Sequence, residues 1–267
     1  NRCLGIKVVN AVGMSASKLN QRRLDVDEKH PYYAVTPRDI LRVLKFYGRK
    51  KLHLVGLSMG GRIAQDFYAL YPQHVASLTI VASFTGFQNF SDADRQKFLN
   101  LRLKPLVEEG KEPRDIAPVV ARTLCSPNAT EEQYQRLAAS MAALHKGSYI
   151  KTVKATTLFD RTANLEKIAV PTLLIFGEAD TLTTADMGRQ MHARIKGSKL
   201  VVVPKSGHLV TLGQPQAFEA ALEPFLFEHR GRADVPAPKP VRAAAAKAKP
   251  AARTAKKKPA AKAKRRR

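Results

Sequence analysis

Three residues far apart in the chain have the types needed to split an acyl bond: Ser58, Asp180 and His208. A serine hydroxyl is a poor nucleophile at neutral pH until a base takes its proton, and an imidazole does this best when a carboxylate orients it. Ser58 stands in Gly56-Leu57-Ser58-Met59-Gly60, a G-x-S-x-G pattern in which an apolar run passes directly into a helical one. A chain that turns sharply at Ser58 presents its hydroxyl above a sheet edge, and side chains two residues to either side would collide there. Gly56 and Gly60 remove that collision. The helix that follows directs its N-terminus, and the N–H of Met59, at any oxyanion formed on a carbonyl attacked by Ser58.

Asp180 closes Gly177-Glu178-Ala179-Asp180, directly after the apolar run Thr172–Phe176, and His208 closes Pro204-Lys205-Ser206-Gly207-His208, after a run ending at Val203. Both fall in loops at the carboxyl ends of strands, the edge at which open parallel sheets place their sites. Asp180 also suits a helix cap or turn, with Glu178 as the substitute acid, and His208 also suits a surface loop. His30, His53, His74, His145, His192 and His229 stand in contexts without a matching serine and acid. No His, Cys or carboxylate cluster has metal-ligand spacing, so neither a metal nor a cofactor is expected.

Positioning these loops requires a sheet. Short runs rich in Val, Ile and Leu at Ile6–Asn10, Leu52–Leu57, Leu78–Val81, Thr172–Phe176 and Lys199–Val203 are continuous rather than alternating, as strands buried on both faces should be. Helices are predicted over 36–47, 60–71, 185–196 and 215–229, with Pro37 suited to a first helical turn and Gly48 to a stop. The pattern is that of an α/β fold, a mostly parallel sheet with helices on both faces. Between residues 86 and 165 the strand pattern gives way to helix-favouring segments at 91–104, 113–124 and 130–145, expected as a helical cap between core segments 1–85 and 166–230.

Through V-G-L-S-M-G-G, P-T-L-L-I-F-G-E-A-D and S-G-H-L, the chain resembles the α/β-hydrolase superfamily from about residue 4 to residue 229, especially its 3-oxoadipate enol-lactonase and small esterase branch. The resemblance implies Ser58 as nucleophile, His208 as base and then acid, Asp180 as its orienter, and a small ester or lactone as substrate. Haloalkane dehalogenases of this superfamily carry aspartate at the elbow, where this chain has Ser58. The family's D-x-x-G-x-G-x-S stretch aligns with Asn10 to Ser17, with Asn10 for Asp and Ser15 for Gly. Its His-Gly oxyanion loop lies upstream of that strand, so the leading strands are expected to be missing. That expectation allows a rival reading, a catalytically weak hydrolase-fold protein that serves as a binding module.

Charge is uneven. Of a net +24, the residues from His229 onward hold 15 Lys and Arg against the single Asp234. Residues 231–267, rich in Ala, Lys and Pro and without an aromatic, are expected to be a disordered basic tail. Such a tail suits sequence-independent contact with a polyanion such as nucleic acid, the second rival for the protein's main work. Two cysteines, Cys3 and Cys125, suggest neither a disulfide framework nor a thiolate metal site. With no run of roughly 18 apolar residues, a cytoplasmic, membrane-free protein is expected.

Overall fold

The computed structural model describes residues 8–9, 37–87, 90–156 and 162–233. The Asn10 to Ser17 stretch and residues 234–267 of the basic tail lie outside them. The described residues all fall within one unit, Asn1–Pro236.

Among the described residues, five strands, β1 (Val8–Val9), β2 (Leu52–Leu57), β3 (Val75–Val81), β4 (Thr172–Gly177) and β5 (Lys199–Val203), form one sheet in the order β1-β2-β3-β4-β5. Every neighbouring pair is parallel. All residues of β3 and β4 are buried, which is why these strands carry apolar side chains at successive positions. Successive side chains point to opposite faces. Leu54, Ile80, Leu174 and Phe176 join an apolar cluster with Ile40, Ile63, Phe67 and Met191 on one face. Val55, Leu57, Leu173 and Ile175 join another, with Phe218, Leu222 and Phe225, on the other. The first face is covered by α1 (Pro37–Phe46), α2 (Met59–Leu70) and α8 (Ala185–Arg194), and the second by α10 (Pro215–Glu228). Each buried Leu or Phe contributes about 1.5–3 kcal/mol.

Between β3 and β4 the described residues form five α-helices, α3 (Asp92–Arg102), α4 (Lys104–Val107), α5 (Pro113–Leu124), α6 (Glu131–Ala142) and α7 (Lys146–Thr156), followed by a 3-10 helix at Thr162–Lys167. Their starts follow local chemistry. Ser91 accepts the N–H of Asp94 at the head of α3, and Thr130 and Gln133 form a reciprocal capping box before α6. The apolar faces of α5 and α6, through Ile116, Val120, Leu137 and Met141, merge with the cluster that contains Leu57 and Val203. The short helix α9 (Val210–Gly213) follows β5.

Two differences from the sequence pattern have physical causes. Strand β3 begins at Val75 rather than Leu78 because Ala76 and Ser77, weak apolar signals, are fully covered, with Ser77 Oγ hydrogen-bonded to the His53 ring at 2.7 Å. Helices α4 and α7 have no clear signature in the sequence, since the first is a single turn and the second mixes Gly147, Ser148 and Thr152 among β-branched residues.

Candidate active site

The turn at Ser58 is built by backbone constraint. Ser58 adopts φ 52 and ψ −118 between the end of β2 and the start of α2, a region that costs a non-glycine residue about 1–3 kcal/mol. Its surroundings hold it there. Its N–H donates to the Val81 carbonyl at 2.8 Å, and its own carbonyl accepts from Gly61 N–H at 2.9 Å and from the Ser83 hydroxyl at 2.7 Å. A Cβ at Gly56 would stand 2.2 Å from the Gly60 carbonyl oxygen, so position 56 admits no side chain. Gly61, which the motif does not specify, is constrained equally, because a Cβ there would lie 2.6 Å from the Ser83 Cβ. Met59 opens α2 and so stands at the positive end of that helix, beside Ser58.

The two loops at the ends of β4 and β5 are locked together. Ala179 N–H donates to the Ser206 carbonyl at 2.8 Å, and a Cβ at Gly177 would meet the Gly207 carbonyl oxygen at 2.3 Å. The result is a row of hydrogen bonds. His208 Nδ1–H donates to Asp180 Oδ2 at 2.9 Å, leaving Nε2 to accept the Ser58 hydroxyl at 2.8 Å. Asp180 and His208 are both buried. Asp180 Oδ1 accepts the N–H groups of Leu182 and Thr183 at 2.8 and 3.0 Å, while the Thr183 hydroxyl donates to Oδ2 at 2.5 Å. The same hydroxyl oxygen lies 3.1 Å from His208 Nδ1. Burial alone would raise the pKa of the Asp180 carboxyl. The His208 hydrogen bond and charge, with the bonds from Thr183, outweigh it and hold the carboxyl below the ordinary range.

Glu178, the substitute acid, is exposed and accepts the Lys205 N–H at 3.0 Å instead. The described remaining histidines are engaged elsewhere: His53 with Ser77, His74 with the Lys50 carbonyl, His145 with Ser148, His192 with Ser198, and His229 against the Phe225 ring. His30 lies outside the described residues. Among the described residues, no group of three or more His, Cys, Asp or Glu side chains is placed to hold a metal ion.

Three hydroxyl residues carry no signal in the sequence: Ser83, Thr183 and Ser126. The last belongs to the turn after α5, where its Oγ accepts the Gly207 N–H at 2.8 Å while the Leu124 carbonyl accepts the Leu209 N–H at 3.3 Å. The helical insertion thus grips the His208 loop from both sides of the histidine. Close approach is built in, since a Cβ at Gly207 would lie 2.7 Å from the Cys125 carbonyl oxygen. Beside this contact is a cavity of about 350 Å³, lined by Arg122, Cys125, Ser126, Thr181 and His208 among others.

Comparison with known proteins gives a consistent picture. A family model described as the alpha/beta hydrolase fold matches residues 12–215. A protein of Bacillus subtilis named putative 2-succinyl-6-hydroxy-2,4-cyclohexadiene-1-carboxylate synthase is 27% identical across 72% of each chain. A pimeloyl-[acyl-carrier protein] methyl ester esterase of Neisseria meningitidis is 29% identical, over 65% of this chain and 68% of its own length. The crystal structure of a hydrolase from Pseudomonas aeruginosa superposes with a TM-score of 0.61 at 26% identity, covering 71% of this chain and 70% of that one.

Proposed function

This chain belongs to the alpha/beta hydrolase fold family, and we propose that it is a serine hydrolase that cleaves a carboxylic ester or lactone through an acyl-enzyme on Ser58. The observation that carries the proposal is the continuous row from Ser58 Oγ through the His208 ring to the buried Asp180 carboxylate. The esterase name of one relative supports an ester as the substrate class.

In this reading His208 Nε2 takes the Ser58 proton as Oγ attacks the carbonyl carbon. The Asp180 carboxylate stabilises the imidazolium that forms. Charge on the tetrahedral oxygen develops beside the Met59 N–H and the positive end of α2. The imidazolium then protonates the departing alkoxide, which leaves as the alcohol; in a lactone it stays tethered to the acyl group. Water, deprotonated by His208, attacks the acyl carbon, releases the carboxylic acid and returns the proton to Ser58. The helical insertion serves as the cap that sets acyl and alcohol preference. The basic tail adds a second, separate role, sequence-independent contact with polyanions, supported by its charge alone.

The test is rapid mixing with a p-nitrophenyl ester. The expected record is a burst of p-nitrophenolate approaching one equivalent of enzyme, with turnover reduced by about 10⁴-fold or more in Ser58→Ala. Undiminished turnover in Ser58→Ala overturns the proposal. Complete inactivity of the unaltered chain toward esters and lactones favours the binding-module reading.

A further inference from the structure

Seven large apolar side chains are exposed among the described residues. Five of them, Val43, Phe46, Tyr47, Leu70 and Phe227, belong to the sheet-covering helices α1, α2 and α10, in or directly after the last turn of each. An isolated exposed apolar side chain is ordinary, whereas a gathering of them marks a contact surface. Their helices end at one edge of the sheet. In a parallel sheet a helix that leads into the next strand finishes where strands begin, so α1 ahead of β2 and α2 ahead of β3 both end opposite the loops of Ser58, Asp180 and His208. Helix α10 starts just beyond the His208 loop, packs against β4 and β5, and ends at that edge too. His74 Nδ1–H donates to the Lys50 carbonyl at 2.7 Å, which ties the entry of β2 to the turn after α2. Phe46 is 84% exposed, with the Tyr47 ring edge-on to it.

Charge gathers at the same edge. Segments 45–52, 71–75, 166–171, 194–199 and 228–232, which lead into strands or follow α10, hold ten Lys and Arg against two acids, Glu166 and Glu228. Those acids pair with Arg194 and Lys199, and the edge keeps eight positive charges in excess. At the edge of the candidate site, by contrast, segments 82–87, 178–183 and 204–209 hold Lys205 against Glu178 and Asp180. Cation and apolar side chain are interleaved: Arg230 lies 3.8 Å over the Phe227 ring, and Lys45 directly precedes Phe46.

Such a mixture suits a surface that rests on anionic lipid, where cations meet the headgroups and apolar side chains enter the boundary beneath them. A second copy of the chain would set like charge against like. Nucleic acid would meet the charge, yet Val43 and Leu70 offer its bases no ring on which to stack. Among the described residues no helix is long and apolar enough to cross a membrane, so the contact is with the lipid surface.

We propose that the edge opposite the candidate site docks on an anionic lipid bilayer, with Phe46 and Leu70 entering the headgroup boundary and the loops of Ser58, Asp180 and His208 held on the far side, towards water. The proposal does not depend on the hydrolase reading.

The chain contains no tryptophan, so a single introduced one reports its own surroundings. Full-length Phe46→Trp and Val119→Trp, the second in α5 of the helical insertion, are titrated with phosphatidylcholine vesicles with and without phosphatidylglycerol. The emission from position 46 should move to shorter wavelength on the anionic vesicles alone and be quenched by brominated acyl chains, while that from position 119 does neither. In vesicle sedimentation, Phe46→Ser should weaken binding by about tenfold or more, from the loss of one buried phenyl ring. Lys45→Gln and Lys51→Gln should each weaken it by about fivefold. These three side chains are exposed, and circular dichroism checks that the variants keep the fold. Sedimentation of the unaltered chain with an unmoved emission at position 46 would assign the binding to the basic tail and overturn the proposal. An equal shift at position 119, or a shift at position 46 produced by duplex DNA and not by anionic vesicles, overturns it as well. Failure of the unaltered chain to sediment with anionic vesicles overturns it without any variant.

Discussion

At the scale of single residues, the account turns on how a hydroxyl, an imidazole and a carboxylate are held in line. Thr183 is the residue that couples the last two, because one hydroxyl donates to Asp180 Oδ2 and also approaches His208 Nδ1. Replacing it with Val should lower kcat by about tenfold, the value of one hydrogen bond to a charged group, with KM little changed, as read from steady-state kinetics. The same variant has a consequence for pH. Asp180 has a folded pKa below its ordinary value, so its contribution to stability is present above the unfolded carboxylate pKa of about 3.9 and is lost as pH falls through the folded value. Removing the Thr183 hydroxyl bond, while the backbone N–H of residue 183 still donates to Oδ1, raises the folded value and narrows that gap. Acid unfolding of Thr183→Val, followed by circular dichroism, should therefore begin at higher pH than in the unaltered chain; an unchanged midpoint would count against the assigned role. The meeting of Ser58, Asp180 and His208 was legible in the sequence because each lies just beyond the carboxyl end of a strand and has a chemically demanding type. Thr183, Ser83 and Ser126 were not, since a hydroxyl gains its role here only from whatever the fold sets beside it, and Ser126 lies 81 positions from its partner Gly207.

At the scale of elements, the turn between β2 and α2 is the joint on which the site depends. Its glycines were readable from spacing, but the collision that requires Gly56 becomes visible only when the Gly60 carbonyl oxygen is seen 2.2 Å from where a Cβ would be. Gly56→Ala should destabilise the fold by about 3 kcal/mol, since the obstacle is backbone and has no flexible end to move aside. Gly48→Ala provides the contrast. It has φ +60, and a methyl group there would meet nothing within 4 Å, so only the left-handed conformation is penalised, by about 1 kcal/mol. Urea unfolding of the two variants measures both, and equal losses would contradict the steric argument. The strand cores were legible for a related reason: β4 is buried at every position and shows it as an unbroken apolar run. Helix α7 was not, because its stability comes from packing that no short stretch of sequence reveals.

At the scale of the whole molecule, most of the net charge and the candidate site lie in different parts of the chain. Residues up to 228 carry 31 basic and 21 acidic side chains, whereas the remainder carries 15 basic side chains and one acidic. If the tail contacts polyanions by counterion release, deleting residues 234–267 should lower the salt concentration needed to elute the protein from heparin and flatten the salt dependence of DNA binding. Unchanged retention would contradict that role and leave the proposed hydrolase chemistry untouched. The central claim concerns Ser58, and it is tested most directly by treating the chain with a fluorophosphonate and measuring its intact mass, followed by peptide mapping. One adduct per chain on Ser58, lost in Ser58→Ala and strongly slowed in His208→Gln, is the predicted result; a chain that stays unmodified, or takes the adduct at another residue, would contradict the account.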